Sequence, residues 1–132
     1  MPATNLLAMP LVELVVDTGT NEDWVDSIKY LVGDGGSPET FVQLDIRGIS
    51  FEMEVRRAPP NHEVIISASS ANGMLVTGTA PDYGYLLINI PNSEMKNQTP
   101  STGYVADIVG TDAEHRRRVV TISLTISEGI TR

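Results

Sequence analysis

The chain has no cysteine, two histidines and one tryptophan. Without cysteine there is neither a disulfide framework nor thiol chemistry. His62 and His115 each stand alone beside a loop, whereas a metal site needs several nitrogen, sulfur or oxygen ligands converging at short range. No metal site and no cofactor are expected. Aromatic residues make up 5% of the chain, and nine Lys and Arg face seventeen Asp and Glu, for a net charge of −8. A nucleic-acid surface combines a basic face with aromatic platforms. A chain this acidic repels phosphate at long range, so nucleic acid is not an expected partner.

Long apolar runs are also missing. Nothing approaches the ~20 apolar residues that cross a bilayer. The opening "MPATNLLAMPLVELVV" has no basic start and is interrupted by Pro10 and Glu13, so it does not read as a secretory signal. No membrane contact is expected. Catalytic signatures are absent as well. No serine lies in a G-x-S-x-G context. "GDGGS" at 33–37 lacks the lysine and the spacing of a phosphate loop. The acids Asp17, Glu22, Asp23 and Asp26 read as a solvated acidic turn rather than a glycosidase pair. No catalytic residue is assigned, and the chain is not expected to be an enzyme.

What the sequence does have is a period of two. Val120, Ile122, Leu124 and Ile126 share one parity, and Thr121, Ser123, Thr125 and Ser127 share the other. Successive strand side chains point to opposite faces, so this is a half-buried strand. Ile49–Val55, Val12–Val16, Leu86–Ile90 and Tyr104–Ile108 alternate in the same way, with shorter apolar runs at Val64–Ala68 and Met74–Thr77. Trp24–Val32 fits both a helix and a strand, and the turn signals on either side favour a strand. Asn72-Gly73 predicts a two-residue hairpin. "GTDAEH" at 110–115 predicts a hairpin between the last two strands. "GDGGSP" at 33–38 and "APPN" at 58–61 read as loops. One short helical turn is expected near 92–97, capped by Asn92 or Ser93, with Met95 inward. Seven to eight strands at this spacing argue an all-β antiparallel sandwich or barrel. Residues 1–10, with Pro2 and Pro10, read as a flexible N-terminal arm, and 11–132 as a single β-sandwich domain.

"RRRVVTISLTI" at 116–126 and "FEMEVRR" at 51–57 place arginines at the ends of two strands. Cross-strand pairing with Glu52, Glu54 or Glu114 and protection of a sheet edge explain them without a ligand.

The order of residues resembles a known family. "VQLDIRGISFEMEVRR", the run from "NGMLVTGTAPDYGYLLINI" through "STGYVADIVG", and the closing "GITR" are similar to a family of phage and prophage tail-associated domains, whose relatives include the N-terminal domain of baseplate upper proteins. The likeness spans about residues 11–132. Leu44-Asp45 and Gly48 match its turn before the central strand, Tyr104–Ile108 its penultimate strand and Ile130-Thr131-Arg132 its terminus. Ile46-Arg47 departs from the family's usual Leu-Thr. The resemblance implies an Ig-like antiparallel β-sandwich acting as a non-enzymatic structural or adaptor module of a tail or baseplate. It also implies a site of action that begins in the cytoplasm of the bacterial host during assembly and ends in the virion tail. Relatives continue into further domains, so the expectation is a small piece without a receptor-binding extension. Its partners would be other tail or baseplate proteins, further copies of itself included. The apolar residues on outward parities, Val15, Leu87, Val105 and Val109, are the expected interface. A second reading is a glycan-binding sandwich, with Trp24, Tyr83 and Tyr85 stacking on sugar rings.

Overall fold

The structure is a computed structural model that describes residues 5–32, 42–57, 63–79 and 81–130. The proposed loops at 33–38 and 58–61, His62 and the last two residues lie outside the described residues. The elements are β1 (Val12–Gly19), β2 (Trp24–Lys29), β3 (Leu31–Val32), β4 (Val42–Gln43), β5 (Ser50–Arg57), β6 (Val64–Ser69), β7 (Leu75–Thr77), β8 (Tyr85–Ile90), α1 (Asn92–Met95), β9 (Ser101–Thr111) and β10 (Arg116–Ser127).

Eight of the strands form two sheets. One runs in the order β1-β10-β9-β5-β6 and the other β2-β8-β7, with β3 and β4 as a separate two-residue pair. The chain is an all-β sandwich. Its strand order is that of an immunoglobulin-like sandwich of variable type: β5, β9 and β10 stand as C, F and G, β6 as C′, and β2, β8 and β7 as B, E and D. Tyr104, near the start of β9, donates its hydroxyl to the carbonyl of Thr99 at 2.5 Å, the corner tyrosine of such sandwiches.

The period-two pattern explains the core. Phe51, Met53 and Val55 of β5, Tyr104, Ala106 and Ile108 of β9, and Ile122, Leu124 and Ile126 of β10 all point inward and are buried. They meet Trp24, Ile28, Leu75, Leu86, Ile88 and Ile90 from the smaller sheet. Alternation slips once in β10. Val119 and Val120 are both buried, because the pairing with β9 shifts register between Arg118 and Val120. Val119 is the extra residue of a bulge, which turns the side chains from outward arginines to an inward apolar row. Its carbonyl accepts from the buried Tyr30 hydroxyl at 3.4 Å. A second bulge, in β6 opposite Val55 and Arg56, leaves the Ile65 carbonyl to Gln98 Nε2 at 3.3 Å.

Burial pushes the Tyr30 hydroxyl up from 10.0 to about 12. The folded chain therefore keeps a proton that the unfolded chain releases near pH 10. This contribution to stability is complete below pH 10 and disappears as pH rises through about 12. Tyr30→Phe is expected to remove that step from an alkaline unfolding titration followed by circular dichroism while leaving the acid side unchanged.

Four sequence expectations are corrected. Residues 5–10, expected to belong to a flexible arm, form a 3-10 turn at Leu6–Ala8, and Leu6 and Met9 are buried in the core. Two apolar side chains spaced by that turn seal the end of the sandwich over Gly110, where an added Cβ would come within 2.8 Å of Leu6. Asn72-Gly73 does not close a hairpin, because β6 and β7 belong to different sheets. Gly73 has φ 80, and Asn72 Oδ1 accepts from the amides of Ser69 and Met74, so the turn carries the chain from one sheet to the other. The larger sheet is not wholly antiparallel: β1 pairs with β10 in parallel, Val12 opposite Val120 through Gly19 opposite Ser127. Finally, the cap position of α1 is Pro91. The Asn92 amide is met instead by Asp23 Oδ1 at 2.7 Å, and its side chain holds the Thr20 carbonyl at 2.7 Å. Met95 is buried and the 112–115 turn joins β9 to β10, both as expected.

Candidate functional site

The register places most of the outward charge on one surface. On the solvent face of the larger sheet, Glu52 lies opposite Val109, Glu54 opposite Asp107 and Arg56 opposite Val105. One strand further on, Val109 lies opposite Arg118, Asp107 opposite Thr121 and Val105 opposite Ser123. Beyond that, Ser123 faces Val15 on β1. Two rows thus carry most of the charge, and the third runs Arg56, Val105, Ser123, Val15.

Glu54 beside Asp107 is a like-charge pair, which is unfavourable unless cations flank it. They do. Arg56 pairs with Glu54, Arg118 Nη1 lies 4.0 Å from Asp107 Oδ2, and Arg116 Nη2 lies 3.9 Å from Glu52 Oε2. The strand-end arginines therefore neutralise acids across the sheet. Of the counter-charges expected from sequence, Glu52 and Glu54 are used. Asp107 and Glu63 were missed; Glu63 Oε2 lies 3.5 Å from Arg57 Nε. Counting register back from the 112–115 turn would have found Asp107 near Arg118. Arg117 leaves the sheet face and donates to the Leu7 carbonyl at 3.0 Å. The ion pairs outline a shallow concavity of about 270 Å³, lined by Glu52, Glu54, Arg56, Val105, Asp107 and Arg116 among others.

The four expected interface residues fall on two faces. Val15 is 91% exposed and Val105 40%, and both lie on this surface with the half-buried Val109. Leu87 lies on the opposite side of the molecule, on the outer face of the smaller sheet, between Ser27 and Val76. No family model matches the chain, and no curated protein matches it.

The aromatic residues named for glycan stacking are occupied by the protein. Trp24 is 2% exposed, and its Nε1 donates to Asp26 Oδ2 at 2.7 Å, so its ring belongs to the core. The Arg47 guanidinium lies 3.6 Å from the centre of the Tyr83 ring and is held by Asp45, whose carboxyl it keeps below the usual carboxylate range. Lys29 Nζ stands 5.3 Å from the Tyr85 ring centre. These three aromatics do not share a groove floor.

A larger cleft of about 580 Å³ lies between the β1–β2 turn, α1 and the end of β10. Two of its amides are structural: Asn92 bonds the Thr20 carbonyl, and Gln98 bonds the carbonyls of Ile65 and Glu94. The Asn92 bond fastens the α1 wall to the β1–β2 turn. Asp17, Glu22, Asp23 and Asp26 do not converge, and no group of three or more His, Cys, Asp or Glu among the described residues could hold a metal ion. His115 is a turn residue, its amide bonded to Asp112 Oδ1 at 2.6 Å.

Proposed function

We propose that this chain is a non-enzymatic structural or adaptor module of a phage or prophage tail or baseplate assembly. It works through protein–protein contacts, and its docking surface is the solvent face of the five-stranded sheet. The observation that carries this reading is the pairing of exposed valines with charges that cancel locally. Three arginines and three carboxylates balance around Val105 and Val109, in a chain whose net charge is −8. The net charge of the chain repels an acidic neighbour, including a second copy, at long range. Here it meets apolar side chains and both signs. The tail assignment draws on the family resemblance of residues 11–132. On this reading the module is made in the cytoplasm of the bacterial host and finishes in the virion tail.

The size of the face sets the strength of the contact. Five strands at about 4.8 Å spacing and about 27 Å length cover roughly 650 Å². A stable interface buries about 800 Å² per partner, so a single contact is weak and suits a multivalent assembly. Light scattering is expected to show a mass that rises with concentration toward ~1 mM, and Val105→Glu, a change at an exposed position, is expected to abolish the rise. A mass that stays monomeric over that range rules out self-docking through this face.

A further inference from the structure

The two sheets do not close against each other evenly. On one side, β6 leads into β7 through the Asn72-Gly73 crossing. On the other, β1 leads into β2 through residues 20–23. Among the described residues β1 pairs only with β10, and β2 only with β8, so each is the last described strand of its sheet on that side. Among the described residues the backbone hydrogen bonds outside the ladders reach the outer edge of these strands at one point, where the Gly19 carbonyl accepts from the Glu22 amide at 3.4 Å inside the β1–β2 turn. A sandwich of this type carries a fourth strand, A, beside strand B in the smaller sheet. Here that position holds no described strand, because the first strand of the chain has joined the larger sheet instead.

The vacancy leaves a mark on the side chains. Val12, Leu14 and Val16 point inward from β1, yet all three are only partly buried, while the inward residues of β5, β9 and β10 are almost fully covered. The difference follows from the strand count. The larger sheet has five strands and the smaller three, so the inner face of β1 overhangs. Among the described residues, one side of the molecule therefore offers two unpaired strand edges with an apolar strip between them.

The charge of this side selects what fits. Glu13 and Asp17 stand on the outward face of β1, Asp26 lies on β2, and Glu22 and Asp23 stand in the turn between them. None of the five forms an ion pair with a described residue: Glu22 and Asp26 accept hydrogen bonds from Thr18 and Trp24, and Asp23 from the Asn92 amide. Lys29, at the far end of β2, is the one cation on either strand. A second copy adding β1 to β1 in antiparallel register about Val15 would set Glu13 against Asp17, which is unfavourable. The same carboxylates attract an extended segment whose outward positions are Lys or Arg.

We propose that the open side between β1 and β2 accepts an extended strand from a partner protein, with apolar residues alternating with Lys or Arg. Main-chain hydrogen bonds to a free edge supply the affinity, Val12, Leu14 and Val16 receive the apolar side chains, and Glu13 and Asp17 pair with the cations. This site borders the docking face centred on Val105: Glu13 and Asp17 share the solvent side of β1 with Val15, whereas the strand edge and Val12, Leu14 and Val16 lie outside that face.

The test uses the whole chain and a short synthetic peptide of alternating lysine and valine. A second peptide of the same sequence and charge is N-methylated at alternate amides, which removes its ladder. The parent peptide is expected to slow hydrogen exchange at alternate amides of Val12–Gly19 or Trp24–Lys29 by at least ~10-fold. N-methylation is expected to weaken binding by at least ~10-fold, and so is the double change Glu13→Lys with Asp17→Lys, with thermal unfolding confirming that this variant is folded. Equal binding of the two peptides would show charge attraction without strand addition and overturn the proposal. Protection on β5 and β9 alone, no binding at all, or edge protection that grows with protein concentration in the absence of peptide would overturn it too. The last result would make a second copy the occupant.

Discussion

Trp24→Ala is expected to destabilise the chain by about 3–5 kcal/mol. The side chain is among the largest fully buried groups and sits where β2 meets the core. Its removal loses the transfer energy of the ring and leaves a void that two sheets held by ladders cannot close. A domain of this size has about 5–15 kcal/mol in total, so much of its stability disappears. With a urea dependence of about 1–3 kcal/mol per molar, the midpoint is expected to fall by at least ~1 M. Trp24→Phe separates packing from polarity. It keeps most of the ring and deletes the 2.7 Å bond to Asp26, so it is expected to cost less than half as much. Equal losses for the two substitutions would place the weight on the indole nitrogen instead of the ring.

Gly84→Ala is expected to cost about 1–3 kcal/mol or more, although it adds a single methyl group. Gly84 sits where β8 begins, beneath the β3–β4 pair. Its carbonyl accepts from the Tyr30 amide at 2.8 Å, and its amide donates to Gln43 Oε1 at 3.0 Å. A Cβ there would lie 2.8 Å from the Tyr30 carbonyl, 2.9 Å from Gln43 Cβ and 3.1 Å from the Leu44 carbonyl. Two of these are backbone atoms, which cannot swing aside as a side chain does. The pair of short strands must lift off the smaller sheet. Urea unfolding measures the loss. By contrast, Gly73→Ala meets no atom within 4 Å and is penalised through its positive φ alone.

The sequence was most legible where one face is wet and the other buried. β5, β9 and β10 read as strands because each alternates over most of its length, and the same alternation separates Val105 and Asp107 from Ala106 and Ile108. Local patterns say nothing about which sheet a strand joins. Asn72-Gly73 carries a hairpin signal, yet the strands beside it part company, because turn chemistry fixes the local reversal and packing fixes the partner. The parallel contact of β1 with β10 was equally hidden, since it joins residues more than a hundred positions apart. The apolar residues Leu6 and Met9 lay between two prolines and lacked a period, so their burial could not be seen. For the candidate site, parity identified Val15, Val105 and Leu87 as outward but could not show that Leu87 faces the other way from the rest. That division is set by sheet membership. The arginines were legible as paired charges, and their pairing contributes little to stability because the groups are exposed.

The partnership of β1 with β10 also governs when the molecule can be finished. During synthesis β1 leaves the ribosome ahead of β2–β10 and waits while they are made. Its neighbour among the described strands, Val120–Ser127, follows more than a hundred residues later. Until then the nascent chain carries a strand with both edges bare, and closure depends on a contact between distant parts of the polypeptide, the kind that forms slowly. Translation that stalls before residue 120 would release a product lacking the larger sheet's second strand, a natural client for chaperones and proteases.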